Sequence, residues 1–550
     1  MGMMTYLVPS TRKVFCDEAP RAPYIDSVRG FQNERMSFQL CCELTDKDQR
    51  RAMAEISLSV DCALPTRVRL VTDVPVHMGN YYDDGDYLRG GRPGLYPDML
   101  EELPQKGIRV TWGLMRVFWI DITPCGAKSG DYPLTVSVRN AGTGETLAEN
   151  TVTCHVLPGC LPSQKLIHTR WMHTDCLATW YQVPVFSEKY WRITQHYVRC
   201  AAQHGVNMLL TPIPTPPLDT RVGTERPTVQ LVDVYLENGE YRFGFDKLRR
   251  WVEMAKGCGI EYFEMAHLFS QWGAKCAVKI VARVDGEEKR IFGWDTPAND
   301  PEYARFLDAY LGALTEELTR LGIDKHTYFH ISDEPNEGSM EQYLADKALV
   351  EKRLQGYPIM DALSNLAFYQ KGVVKKPVPS IDHIEPFIEE GVEGLWGYYC
   401  CGQHDGVPNV FIAMPGYRTR VLGPMLYKFQ IEGFLQWGFN FYYSVLSDYL
   451  ANPFLNTDWM ASAPAGDAFL VYPGRAGEPV ESIRLMLVEE AMQDLRAMQL
   501  LESLAGREAV LRLIDEGLNT PLRFGQYPRE EGYILALREK IDREIVKRKV

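Results

Sequence analysis

Two adjacent acids, Asp333 and Glu334, close the stretch T-Y-F-H-I-S-D-E-P at residues 327–335. Inside a regular strand, neighbouring side chains point to opposite faces. At a strand end that alternation breaks, and both carboxylates can turn toward one ligand. Repulsion between them raises one pKa, leaving a proton donor beside an anion. Cleavage of a glycosidic bond calls for such a pair. As a bare tripeptide, D-E-P reads equally well as a solvated loop; the buried-looking strand before it favours a site.

The elements that must hold the pair can be read around it. Thr327 to Ile331 are β-formers. Pro335 cannot donate to a ladder and disfavours helix at Glu334, so the strand should stop there. A helix pattern follows from Ser339 to Arg353. Strand, abrupt stop and helix make the βα unit of an α/β barrel, whose sites lie at the C-terminal ends of its strands. The same grammar runs from Lys165 onward. Strands are expected at Leu166–His173, Val206–Thr211, Ile260–His267, Ile359–Ser364, Gly394–Cys400 and Gly433–Tyr443. Helices are expected at Glu188–His204, Phe245–Cys258, Pro301–Arg320 and Met425–Glu432. The segment 369–393 has no clear period. The fold class expected is multidomain β plus α/β: an N-terminal β-sandwich over residues 1–163, a central (β/α)8 TIM-type barrel over 164–480, and a C-terminal helical extension over 481–550 packed on the barrel. The first region reads as short alternating runs, such as M-S-F-Q-L-C-C at 36–42, without intervening helices. The linker L-P-G-C-L-P at 157–162 separates the two grammars.

The totals narrow the function classes. A chain of 550 residues needs several cores. A net charge of −13 without a long basic run argues against nucleic acid or an anionic membrane as partner. No run of apolar residues is long enough to span a bilayer. The N-terminus lacks the cationic start and apolar core of a secretion signal. The 13 cysteines are odd in number and scattered, with two adjacent pairs, Cys41-Cys42 and Cys400-Cys401. That suits reduced thiols and a cytoplasmic location better than a disulfide framework. No metal and no cofactor is expected. His168 and His173 are five apart rather than two, no H-E-x-x-H is present, and the acidic loop at 81–100 lacks EF-hand spacing. Absence of G-x-S-x-G and of a P-loop argues against acyl and phosphoryl transfer.

Barrel geometry would place other groups beside the acids. The first strand ends with Arg170, Trp171, His173 and Asp175; the third with Glu264, His267, Gln271 and Trp272. Later strands carry Trp396, Tyr398 and Tyr399, then Trp437, Asn440, Tyr442 and Tyr443. Rings near carboxylates suit a pyranose, which stacks an apolar face and needs partners for its hydroxyls. Any single aromatic in a barrel strand is more often core than ligand-facing. His330, mid-strand, reads as a hydrogen-bonded core histidine.

With these residues in place, the chain resembles glycoside hydrolase family 123 and its wider relatives, the β-N-acetylgalactosaminidases. The resemblance rests on ordered blocks: R-G-F-Q-N-E-R-M-S-F-Q-L at 29–40, Y-P-D-M-L at 96–100, H-G-V-N-M-L-L-T-P at 204–212, H-L-F-S-Q-W-G-A at 267–274, D-E-P at 333–335 and G-F-L-Q-W-G-F-N at 433–440. It implies substrate-assisted retaining hydrolysis of a terminal β-linked N-acetylhexosamine, GalNAc first among them. The substrate's own 2-acetamido oxygen would form an oxazolinium. By that resemblance Asp333 holds the acetamido N–H and Glu334 acts as acid and then base. A tyrosine would complete the acetamido pocket; Tyr398, Tyr399, Tyr442 and Tyr443 are candidates. The expected partner is a small glycan or glycoside. Homodimerisation is compatible with the pattern but not demanded by it. Two further readings stay open: a conventional glycosidase with Glu264 or Asp361 as nucleophile, and a carbohydrate-binding protein without turnover.

Overall fold

Runs such as Met36–Leu44, M-S-F-Q-L-C-C-E-L, put alternate side chains on opposite faces, and the N-terminal region pairs such faces. The computed structural model describes residues 2–45, 53–334 and 337–549. Its first strands are β1 (Met3–Pro9), β2 (Ser27–Phe31), β3 (Met36–Leu44), β4 (Met53–Cys62), β5 (Thr66–Val76), β6 (Gly94–Glu102), β7 (Ile108–Thr111), β8 (Arg116–Ile122), β9 (Gly130–Asn140) and β10 (Thr146–Leu157). They form two five-stranded sheets, ordered β1-β3-β8-β5-β6 and β2-β10-β9-β4-β7. Phe38, Leu40 and Phe118 from one sheet share a core with Ile56, Val136 and Val152 from the other.

The chain then alternates strand and helix. Its strands are β11 (Ile167–Arg170), β12 (Met208–Thr211), β13 (Asp233–Glu237), β14 (Glu240–Gly244), β15 (Tyr262–Met265), β16 (Ile280–Val284), β17 (Glu287–Phe292), β18 (Thr327–Phe329), β19 (Met360–Ala362), β20 (Lys376–Val378), β21 (Trp396–Tyr398) and β22 (Gly433–Gln436). Six make one parallel sheet, ordered β18-β15-β12-β11-β22-β21. The parallel pair β19–β20 joins its two ends through single bridges, Phe329 to Ile359 and Ser380 to Tyr398. Among the described residues these eight short parallel strands are linked in a ring by their ladders and the two bridges. Helices fill the connections: α1 (Thr174–Trp180), α2 (Glu188–Gln203), α3 (Asp246–Cys258), α4 (Pro301–Arg320), α5 (Met340–Val350), α6 (Leu366–Gln370), α7 (Glu385–Glu389), α8 (Gly416–Arg420) and α9 (Leu422–Lys428). The start of α4 is set by its sequence: Asp300 accepts from the N–H groups of Glu302 and Tyr303, and Pro301 takes the first turn.

The ring encloses a packed interior of Ile167, Met208, Leu210, Met360, Val378 and Leu435. Trp396 fills much of it, and Gly433 makes that fit: a Cβ there would lie 2.1 Å from the indole. Two insertions, β13–β14 and β16–β17, combine into one four-stranded sheet beside the ring. After the ring, α10 (Ile483–Ala505) packs on α8 and α9 and also reaches the first region. There its Arg484 makes a buried two-point contact with Asp98 of β6, both bonds 2.9 Å. Buried Arg69 of β5 pairs with Asp121 and Glu481. The last helices are α11 (Arg507–Asp515) and α12 (Glu531–Lys549). Among the described residues no helix is long and apolar enough to cross a membrane.

Several elements are shorter than their sequence pattern suggests. The expected strand 433–443 ends at Gln436, and 440–443 lie on the loop that follows. The strand expected at 327–331 ends at Phe329. The unperiodic segment 369–393 contains β20, three residues long, and α7. Pro335, expected to stop the central strand, lies outside the described residues.

Candidate active site

The site forms where β18 leaves its ladder. Past Phe329 the chain still follows the exit of β15: Phe269 N–H donates to Ile331 O at 3.1 Å, and Trp272 N–H to Asp333 O at 3.2 Å. Ser332 Oγ donates to Ser270 O at 3.0 Å. Glu334 then takes a left-handed φ of 43°. Such a φ is uncommon for a residue with a side chain and marks a functional or turn position. It ends the strand alternation at the junction of the two acids. Asp333 is half-buried and Glu334 exposed. Desolvation, then the charge of Glu334, holds the Asp333 carboxyl well above the usual carboxylate range. Across the ring, Tyr398 at the end of β21 donates its hydroxyl to Glu334 Oε1 at 2.9 Å. Burial, then the neighbouring Glu334 carboxylate, keeps that phenol protonated far above its ordinary range, so it stays a donor. Removing the hydroxyl in Tyr398→Phe is expected to cost about 1.5–3 kcal/mol of activation free energy, roughly 10- to 100-fold in kcat. Steady-state kinetics with unchanged circular dichroism would check it; an unchanged kcat would remove Tyr398 from the site.

Beneath the acids lies a buried polar cluster. His330 places Nε2 2.6 Å from Glu264 Oε1 and Nδ1 3.2 Å from Asp361 Oδ1. Glu264 also accepts from Thr169 Oγ1 at 2.6 Å and Trp171 Nε1 at 2.7 Å. Asp361 also accepts from the Tyr343 hydroxyl and from Ile331 N–H. Burial alone would lower the His330 pKa. Hydrogen bonds to Asp361 and Glu264, with their charges, override it and raise the value to about 10. His330 is therefore an imidazolium between two carboxylates. His267 stacks on it with ring centres 4.3 Å apart, and burial, then the His330 charge, keeps His267 neutral. His267, His330 and Asp361 bring ligand-type atoms within 4.8 Å of one another. Both His330 nitrogens face carboxylates.

The other sequence candidates separate into two groups. Trp272 stands at the rim, 48% exposed, its backbone tied to Asp333. Trp437 is half-buried against the ring interior, its indole N–H donating to Asp467 Oδ2 at 2.9 Å. These two join Asp333, Glu334 and Tyr398 around the mouth of the ring, with His267 below. The rest serve packing or loop contacts. Asp175 forms a buried two-point ion pair with Arg226, at 2.6 and 2.7 Å. His173 Nδ1 accepts from Arg226 at 3.2 Å, and its Nε2–H donates to Trp437 O at 2.9 Å. Burial, then the Arg226 charge, pushes His173 down to about 3, so it stays neutral. Gln271 spends its amide on the backbone of Thr220, and Asn440 its amide on the backbone of His173. Trp396 plugs the ring interior. Tyr399, one residue on from Tyr398, points the other way and takes a bond from Arg170 at 2.7 Å. Tyr442 donates to Val471 O at 2.9 Å.

Asp219 is a group that sequence reasoning missed. It sits in the loop after β12 with φ 42°, its Oδ2 accepting from Leu446 N–H at 2.9 Å. Arg221 clamps the same two loops together through Asp448, at 2.5 and 2.6 Å. Burial raises the Asp219 carboxyl to about 6, and its charge is felt at Asp333. The run P-I-P-T-P-P-L-D suggests only a loop; that its aspartate tolerates a left-handed turn was the available signal.

A ring of parallel strands with paired acids at one strand exit can be compared with known proteins. The model of the glycoside hydrolase 123 catalytic domain matches residues 171–501, well over half of the chain. The chain belongs to glycoside hydrolase family 123. A solved family 123 glycoside hydrolase from Clostridium perfringens, described in connection with glycolipid glycan hydrolysis, has a TM-score of 0.73 at 13% identity, covering 100% of this chain and 98% of that one. At that identity the likeness is one of fold. A β-glucuronidase 2 of Bacteroides uniformis reaches TM-score 0.32 at 10% identity, over 90% of this chain and 49% of that one. A family 5 xyloglucanase of Bacteroides ovatus reaches 0.33 at 9%, over 85% and 98%. No curated protein matches the chain. Family 123 membership makes the protein a glycosidase.

Proposed function

We propose that this family 123 protein removes a terminal β-linked N-acetylhexosamine, GalNAc first, by substrate-assisted retaining hydrolysis. Its scaffold is read as a β-sandwich over 1–163, a (β/α)8 barrel over 164–480 and a helical extension over 481–550. The observation that carries the chemistry is the pair of consecutive acids at one strand exit, with Tyr398 bonded to Glu334. Adjacent acids suit a reaction in which one serves the acetamido group and the other the glycosidic oxygen. The two carboxylates that could have served as enzyme nucleophiles are engaged elsewhere: Glu264 and Asp361 are fully buried, and each has three hydrogen-bond partners. A conventional covalent intermediate through either would break that cluster.

In the free protein desolvation and the charge of Glu334 favour the protonated form of Asp333. Coupled acids titrate as a unit, so a ligand can move the proton between them. An acetamido N–H donated to Asp333 favours its anion. The proton then passes to Glu334, where the leaving oxygen needs it. The acetamido oxygen attacks the anomeric carbon as the glycosidic bond breaks, Glu334 protonates the departing oxygen, and the same residue later deprotonates the water that opens the oxazolinium. Trp272 and Trp437 offer ring faces to the sugar, and Asp219 an acceptor for a hydroxyl. A small glycan, free or cut from a glycolipid, meeting the enzyme in the cytoplasm fits the chain's reduced thiols.

The test compares p-nitrophenyl β-GalNAc, β-GlcNAc and the matching 2-hydroxy glycosides, with N-acetyl thiazolines as inhibitors. Hydrolysis confined to the acetamido sugars, with retained β-configuration and thiazoline inhibition, is expected. Equal turnover of 2-hydroxy glycosides without thiazoline inhibition would overturn the mechanism.

A further inference from the structure

The two adjacent cysteine pairs meet opposite fates. Cys41 and Cys42 lie inside β3, so strand alternation sends them to different faces; Cys42 packs in the core between the two sheets and Cys41 in another. Cys400 and Cys401 follow the end of β21, beyond any ladder, and there the thiols turn together. The Cys401 thiol lies near enough to raise the pKa of the Cys400 thiol, and both are half-buried. This is the strand-end geometry that brings Asp333 and Glu334 together, and it occurs at the same mouth. Cys400 packs beside Tyr398 and Trp437 against the ring interior, near enough to Glu334 to feel its charge. Its Sγ lies 3.3 Å from Gln403 Oε1. Cys401 lies near the partly exposed Tyr81.

We propose that Cys400 and Cys401 form a thiophilic site at the mouth of the ring, a vicinal dithiol that takes one thiol-seeking centre such as trivalent arsenic across both sulfurs. With an arsenoxide the step balances without redox change. The two As–O bonds are replaced by two As–S bonds, and the two thiol protons leave with the oxygen as water. That balance matters because the neighbouring Cys401 thiol and burial hold the Cys400 thiol well above its ordinary range. A protonated thiol is a weak nucleophile toward peroxide, and in the condensation both thiol protons pass to the departing oxygen. The second sulfur binds intramolecularly, which strengthens capture over a single thiol by about 10²–10⁴-fold. A bound arsenic occupies the space beside Tyr398 and Glu334 and blocks glycoside entry. That consequence, unlike the binding, rests on the proposed glycosidase function.

The experiment uses phenylarsine oxide on the full chain, followed by intact-protein mass spectrometry and by hydrolysis of the best p-nitrophenyl glycoside. One phenylarsenic per chain is expected, with loss of hydrolysis, and both reversed by 2,3-dimercaptopropanol. Cys400→Ser and Cys401→Ser are each expected to weaken capture by about 10²-fold or more. Cys62→Ser should leave it unchanged; Cys62 lies near Cys154 in the first region. No adduct on the wild-type chain, or the same adduct on both Cys400→Ser and Cys401→Ser, overturns the site. An adduct with undiminished hydrolysis overturns its place at the mouth of the ring. If no glycoside is turned over, the mass shift still decides the dithiol.

Discussion

Glu334→Gln is expected to lower kcat/KM for β-N-acetylhexosaminides by about 10²- to 10⁴-fold, the usual worth of a positioned general acid. The loss should be larger for a sugar leaving group than for p-nitrophenolate, which departs with little help from a proton. Glutamine keeps the shape and can still accept from Tyr398, so folding is not at issue. On the proposed mechanism Asp333→Asn is expected to lose activity as well, by removing the anion that would receive the acetamido N–H, yet to gain stability. The folded pKa of Asp333 is raised by burial and by Glu334. A raised value means that its carboxyl contributes fully below the ordinary aspartate pKa, about 3.9, and loses that contribution as pH rises. The Asn variant should therefore melt above the wild type at neutral pH and level with it in acid. A destabilised Asn variant at neutral pH, or full activity in both variants, would strip the two acids of these roles.

Which parts of this site were legible in the sequence follows from the range of the forces involved. The strand before the acids was readable because its β-formers are local, but it ends at Phe329, two residues short of the expected Ile331. Tyr398 could be named but not chosen from its neighbour Tyr399, since the choice depends on which face of a three-residue strand meets Glu334. The run L-Q-W-G-F-N-F-Y-Y looked like one long strand because its aromatics alternate. In the fold the chain leaves the ladder after Gln436, whose side chain accepts from Gly438 N–H at 2.9 Å. Gly438 permits a close approach to Ala468, where a Cβ would meet backbone oxygen at 2.5 Å. Strand β20, K-P-V, could not be counted: three residues carry no period, and a central proline argues against a strand. Asp175 looked like a ligand at a strand end because its partner Arg226 lies on a distant loop. Pairings of that kind, like the one holding His330, are set by tertiary packing and leave no local mark.

His330→Gln is expected to destabilise the parallel ring by about 3–5 kcal/mol, the cost of leaving buried charges without their partner. Glu264 would keep Thr169 and Trp171, and Asp361 would keep Tyr343 and Ile331 N–H, but both would face each other without the imidazolium. Adding Asp361→Asn to the variant should recover part of the loss, since one of the uncompensated charges is then gone. The pH dependence carries a sign of its own. The folded pKa of His330 is raised to about 10, against burial, by Asp361 and Glu264. Its stabilisation is thus fully present below the ordinary histidine value, about 6.5, and is lost as pH rises through the folded one. Wild-type unfolding midpoints should fall across that alkaline window, and those of the variant should not. The same charge reaches the acids: His330 lies three residues before Asp333 and pulls its carboxyl downward against desolvation and Glu334. Without it Asp333 holds its proton to higher pH, so the pH–rate profile of the variant should shift upward. A residue that only held the fold together would lower the unfolding midpoint and leave that profile in place.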